Sequence, residues 1–540
     1  MIKQKQLSIL SSLLMIVALF CCAPGMEEAK AVNSTNYEDL VSLFEEWREF
    51  QKPKFIEGVP DYTAEAMEEQ RRGLEEFRSR LLAIDPSEWP ISQQADYHIV
   101  RAEMNGLEFD HRVLRPWSRD PGFYITTPLG FGPRMYGSVR IPRLPLKEGE
   151  IEEFRMKLQA VPKILDQARG NLTDEVPGDL VLLAIRAKAK ESAIFESLAK
   201  RLAEHHPDLV VDAERAREAC DAFHGWLKEN EGRWTGPSGI GKENYDWYLK
   251  NVHLFPYTWD ELLVITQQEY DRAVAFLKLE ENRNRRLPEL EPASTEEEYK
   301  HRYNEAEQYL LEFLRKEEIF TVPDYLIPRG AGPYRRSENE VRDFFQQCGD
   351  RDPLPLRCHN LPGHDLDSLR LRRDDRPIRG VNRLYFIDGI RAEALATGLE
   401  EILMHAGLLD ERPRTREITY ILLANRAARS AADLKMHSNE FTLMDAINYC
   451  VEKTPYGWLP DDGNTVWFDM ELYLRQPSYG MGYLVGKCQL TKLVSDRAQQ
   501  LGDKFNLRQF FDEFLAAGMI PITLTRWQMT GMEDEIRKMW

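Results

Sequence analysis

The sequence predicts a mainly α protein: one large helical body in two lobes around a central cleft, with the second lobe beginning near residue 320. Three observations carry that expectation. Apolar residues recur at three- to four-residue spacing along most of the chain, strand-like alternation is scarce, and clusters of Pro and Gly fall between the periodic stretches. The 540 residues, 43% apolar and 10% aromatic, supply material for one or two cores. Gly at 32 and Pro at 30 are near average, and no stretch after the first thirty residues is long and apolar enough to span a bilayer. Disordered, collagenous and multi-pass membrane classes are excluded.

The chain opens with Lys3 and Lys5, an apolar run from Leu7 to Cys22, and the small-residue triplet Ala29, Lys30, Ala31. This is the pattern of a secretory signal over residues 1–31. A second reading takes Cys22 as a lipidated N-terminal cysteine, with Leu19 three residues before it. Both readings export the protein, to the periplasm, to the cell envelope as a lipoprotein, or into the medium. Residues 32–540 then form one helical domain.

Helical spacing or long charged runs mark Tyr37 to Gln51, Ala64 to Leu82, Ile151 to Gly170, Pro177 to His205 and Val210 to Asn230. The same signals mark Thr258 to Asn282, Thr295 to Glu317 and Glu338 to Gln347. Loops are expected at Pro116 to Pro145, Gly232 to Gly241, Leu287 to Pro292 and Pro323 to Pro333. Of seven cysteines, five follow the signal, too few for a dense disulfide framework; Cys348 and Cys358 are close enough in sequence to pair.

Chemistry concentrates after Cys358. Two His and two Asp stand within Cys358-His359-Asn360-Leu361-Pro362-Gly363-His364-Asp365-Leu366-Asp367, a set able to hold a divalent metal or to form a polar turn before a helix. A helix from about Ile390 to Gly407 carries Glu393 among alanines near its start, as a third ligand or as a charge complementing the helix dipole. A further helix from Arg416 to His437 sets Arg426, Arg429, Asp433 and His437 on one face by steps of three, four and four. That stripe suits either a solvated face or a cleft in which Asp433 orients His437 or Arg429. The formal charge of -18 excludes a nucleic-acid role, since binding phosphates calls for Lys and Arg in excess.

These residues resemble the bacterial domain of unknown function 885 family, whose members look like helical zinc metallopeptidases of the gluzincin type. The family reads H-E-x-x-P-G-H-H, then E-G-W-A, then R-A-x-R with D-x-x-x-H, then P-G-Q-A-x-S-Y-x-x-G, then F-H-D before L-x-x-G-x-x-P. Here Pro362-Gly363-His364, Glu393 with Ala396, and Arg426, Arg429, Asp433 and His437 match the first three in order. Pro477, Tyr483 and Gly486 match the fourth, and Phe510, Asp512, Leu515, Gly518 and Pro521 the last.

The resemblance implies a metallopeptidase-like body with zinc on Cys358, His364 and Glu393, and His359, Tyr483, His437 and Asp433 as the catalytic set. Arg426, Arg429 and Arg475 would bind a substrate carboxylate. The family's first His falls on Cys358, however, its catalytic Glu on His359 and its last His on Asp365. With the carboxylate base gone, peptide cleavage is expected to be impaired. An active zinc hydrolase using Cys358, His364 and Glu393 is one alternative. A non-catalytic envelope protein that binds a peptide or another small ligand in the cleft, with the membrane reached only through a lipid anchor, is the other.

Overall fold

A computed structural model of the chain describes residues 34–127, 135–172, 175–334 and 341–539. The export signal expected at 1–31, Cys22 included, lies outside them. The described chain is almost wholly helical, and its one sheet pairs Phe55–Ile56 with Val59–Pro60 in antiparallel register. The mainly α expectation holds.

Local signals place most helix starts. Tyr37–Phe50 follows Asn36, whose side chain accepts from the Glu38 N–H, and it buries Leu40, Leu43, Phe44 and Trp47 on one stripe. Ala64–Leu82 starts after Thr63, and Trp259–Asn284 opens with a reciprocal cap between Thr258 and Glu261. Of the helix expected over Glu338 to Gln347, residues 338–340 lie outside the described residues, and the described helix is Phe344–Arg351, capped by Asp343. Ile91–Phe109 escaped the periodicity because it is buried on most sides from Ala95 to Leu107, which leaves no polar face to alternate with.

Two apolar clusters form the interior. Glu148–Asn171, Gly178–His205 and Val210–Asn230 pack together in the smaller, which draws on residues from Val59 to Trp234. The larger runs from Leu40 to Met539, and Phe320 lies inside it. At its centre the helix Thr415–His437 packs against Trp259–Asn284 and Tyr479–Leu501, and the latter packs against Gly389–Leu403. Thr415–His437 is buried nearly all round. The stripe of Arg426, Arg429, Asp433 and His437 is therefore not a solvated face. Among the described residues no helix is long and apolar enough to cross a membrane.

Candidate metal centre

The segment around Pro362-Gly363 is not the polar turn that its composition suggested. Leu354–His359 continues through a widened π turn over Asn360–Asp365 into the helix Leu366–Leu371. Proline has no N–H to donate and its ring crowds the preceding turn, and a wider turn accommodates both defects. Gly363 then permits a close crossing: a Cβ there would stand 3.0 Å from Ala396 Cα and 3.1 Å from Ala396 Cβ. Ala396 lies three residues after Glu393, so this crossing lays the His-bearing turn against the Glu-bearing helix.

His359, His364 and Glu393 come together there, each with a ligand atom within 4.8 Å of the others. The two Nε2 atoms are 3.1 Å apart, and Glu393 Oε2 lies 3.4 Å from His364 Nε2 and 3.7 Å from His359 Nε2. Glu393 Oε2 is buried and accepts no hydrogen bond. Ligand atoms at 2.0–2.1 Å from a tetrahedral zinc lie about 3.3–3.4 Å apart, so the triangle has the size of one face of such a site. Burial alone would raise the Glu393 carboxyl; His364, His359 and the Tyr479 hydroxyl outweigh it and hold it at about 2. Solvent reaches the cluster from the His364 side, where that side chain is 34% exposed against 12% for His359 and 7% for Glu393.

The neighbours fix the His359 ring. Its Nδ1 lies 2.9 Å from Glu400 Oε1, and Glu400 is gripped by Arg426 through two contacts of 2.6 Å. Arg426 NH2, which carries two N–H groups, gives one to Glu400 and stands 3.3 Å from His359 Nδ1. Nδ1 thus meets a guanidinium donor and a carboxylate acceptor, and a metal on Nε2 calls for the ring proton on Nδ1, toward Glu400. Burial, with His364 and Arg426 nearby, keeps the ring neutral, well below its ordinary value. A carboxylate behind a ligating histidine is the usual support of a metal site. Glu400 is seven residues after Glu393, two turns along one helix face, and that spacing was the available signal for it.

Two phenols complete the surroundings. Tyr479 donates to Glu393 Oε1 at 3.1 Å, and Tyr483 stands edge-on to Tyr479 with ring centroids 5.7 Å apart. The Arg429 guanidinium lies 4.7 Å from the Tyr483 ring centroid and pairs with Asp469 at 2.6 Å. Burial raises both phenols, so both remain donors. The space beside Glu393, walled by Tyr248, His253, Tyr385, Phe386 and Tyr479, is about 10 Å³, room for one water and no peptide.

The expected ligand set is corrected at one position: His359 takes the place of Cys358. Cys358 lies outside the cluster, buried, and burial with Glu400 and Asp352 nearby pushes its thiol well above the ordinary value, against thiolate formation. It is also a free cysteine, as is Cys348, so the two are not paired. Arg475 is buried against Asp120, at 2.7 Å, and Glu471. Asp433 accepts the Met481 N–H at 3.1 Å and the Tyr245 hydroxyl at 3.3 Å, at the start of Tyr479–Leu501. His437 Nε2 meets the Tyr473 carbonyl at 3.0 Å, which makes Nε2 the protonated nitrogen, and it lies 3.5 Å from Asp433 Oδ1. Asp365 pairs with Arg329 at 3.0 Å. The structure thus joins His359, His364, Glu393 and Tyr479 directly, with Arg426 behind His359 and Arg429 behind Tyr483.

The family model described as "Bacterial protein of unknown function (DUF885)" matches residues 54–320 and 361–529. The chain belongs to the DUF885 family. The two matched stretches leave out 321–360, the segment that carries Cys358 and His359, where the family's motif is departed from. This DUF885 protein shares its fold with a candidate lipoprotein of unknown function from Shewanella oneidensis, at TM-score 0.70 and 14% identity over 92% of this chain and 100% of that one. A candidate lipoprotein from Colwellia psychrerythraea is similar at TM-score 0.68 and 16% identity, over 92% of this chain and 98% of that one. No curated protein matches by sequence. Family and fold are established by these likenesses; the gluzincin-type activity that the resemblance implied rests on the site residues alone.

Proposed function

We propose that this DUF885 protein is an exported zinc-binding protein of metallopeptidase-like design, holding its metal through His359, His364 and Glu393 and cleaving peptides poorly or not at all. The observation that carries the proposal is Glu393 Oε2, a buried oxygen without a donor that faces the Nε2 atoms of both histidines. A cation satisfies all three atoms at once. Zinc in such a site supplies a Lewis acid for a carbonyl oxygen. Impairment is supported by His359, a neutral imidazole where the family has its carboxylate base. Export is supported by the leader pattern at 1–31 and by fold relatives that are candidate lipoproteins.

An active hydrolase is the second reading, favoured by the Tyr479 hydroxyl on Glu393 and by Tyr483 beside it, donors of the kind that stabilise an oxyanion. Elemental analysis of the purified protein, prepared without chelator, tests the metal. About one zinc per chain is expected, lost in His359→Ala, His364→Ala and Glu393→Ala and retained in Cys358→Ser. A wild type that takes up no metal even from added zinc sinks the proposal; loss in Cys358→Ser with retention in His359→Ala restores the cysteine set. Peptide-library turnover that depends on zinc and on Tyr483 selects the second reading.

A further inference from the structure

Another cavity, of about 310 Å³, is lined by Arg370, Arg373, Arg376 and Arg391, with Tyr325 and Met519 among its other walls. That volume is at the lower end of small-molecule sites. Three aspartates also line it, but two are spent. Arg391 is ion-paired with Asp367, and Arg376 grips Asp374 with Nε and NH2 at 2.8 and 2.5 Å. The third, Asp375, is exposed, and four arginines against three aspartates leave the lining an excess of positive charge in a chain whose formal charge is -18.

The donors are uncommitted in two places. The Arg370 side chain makes no ion pair or hydrogen bond among the described residues, and its charge acts on Asp367 from a distance. Arg391 is 1% exposed, and its Nε has no acceptor, while its NH1 spends itself on Asp367 and on the weak acceptor Met519 Sδ at 3.1 Å. Arg373 lies flat over the Tyr325 ring at 4.1 Å with one nitrogen on the Leu369 carbonyl, which holds the rest of its fork in place.

We propose that this cavity is a binding site for a small anion, a carboxylate or phosphate group taken by Arg370 and Arg373, with the positive charge of Arg391 in the wall behind them. Forked guanidinium donors match the planar or tetrahedral oxygens of such groups, and a neutral or cationic ligand leaves them unpaired. The site adjoins the metal centre through the chain: Asp367 is one helical turn after His364, and Arg391 is two residues before Glu393. It does not depend on the metal.

Isothermal titration of the full mature chain, at constant ionic strength in chloride, with inorganic phosphate and with succinate as the two probes, tests the site. One saturable event is expected for at least one probe, weakened at least about tenfold in Arg370→Ala/Arg373→Ala and unchanged in His364→Ala. Phosphate alone identifies a phosphate site, succinate alone a carboxylate site, and both a general anion site. Arg370→Ala alone is expected to weaken the event as well and to melt at the wild-type temperature, so lost binding is not lost folding. Absence of saturation with either probe by about 10 mM, or equal affinity in the double variant, overturns the proposal. Because His364→Ala removes the metal and not this cavity, failure of the zinc reading and failure of the anion site are separate results.

Discussion

The Nδ1 of His359 stands 2.9 Å from Glu400 Oε1, and a metal on Nε2 would put the ring's proton on this contact. Without Glu400 the ring is free to choose the opposite tautomer and to turn its lone pair away from His364. Glu400→Gln offers a weaker and reversible partner. It is expected to lower zinc affinity about 10- to 100-fold, measured by competition with a chromogenic chelator, with the circular dichroism spectrum unchanged. Equal affinity in the variant removes Glu400 from the design.

Gly363 sits where the π turn crosses the Glu393 helix, 3.0 Å from Ala396 Cα measured to an added Cβ. Backbone cannot retreat as a long side chain can. Gly363→Val is expected to destabilise by about 1–3 kcal/mol in urea unfolding and to reduce zinc uptake, because it pushes His359 and His364 away from Glu393. Gly363→Val that unfolds like the wild type and binds zinc equally well contradicts the close crossing.

Arg475 was expected to bind a substrate carboxylate, yet its own carboxylates already surround it. Its Nε is 2.7 Å from Asp120 Oδ2, both residues are buried, and Glu471 pairs with it as well. Arg475→Ala strands Asp120 without its partner and is expected to cost about 3–5 kcal/mol of stability. A variant that keeps wild-type stability but loses ligand binding would return Arg475 to the substrate.

His437 gives an acid-sensitivity prediction. Burial lowers its pKa to about 4, against the raising effect of the Tyr473 carbonyl that accepts from Nε2. Asp433 and Tyr245 are the other polar groups against the ring. The folded pKa lies below the unfolded value of about 6.5, so the contribution of His437 is present above pH 6.5 and is lost as the pH falls toward 4. His437→Gln keeps a donor for Tyr473 and cannot titrate. Its stability is expected to fall less steeply between pH 6.5 and 4, by about 1.4 kcal/mol per pH unit, in urea titrations across that range. Parallel curves for variant and wild type contradict the neutral, buried imidazole.

The amino-acid sequence by itself determined the mainly helical fold, most of the helix starts, and two of the three cluster residues, because each rests on local chemistry. Thr63, Thr258 and Thr295 stop the chain from entering a helix earlier, and Gly407, at φ +105°, ends one. His364 beside Pro-Gly and Glu393 among alanines stood out by composition and by family likeness. The third member, His359, reads as metal-capable by composition but falls among the expected catalytic residues, with Cys358 expected as ligand in its place. On an α-helix residues five apart point about 140° away from each other, so His359 and His364 do not read as a pair.

Only the tertiary structure supplied the wider turn that brings those two rings onto one face, and only it showed that Cys358 faces the core. The same holds for the arginines. A three-four spacing places Arg426 and Arg429 on one helix face whether that face meets water, substrate or protein, and the sequence does not say which. Desolvation decides it: a helix buried all round must pair each charge inside, and Glu400 and Asp469, from two other helices, are the partners it found.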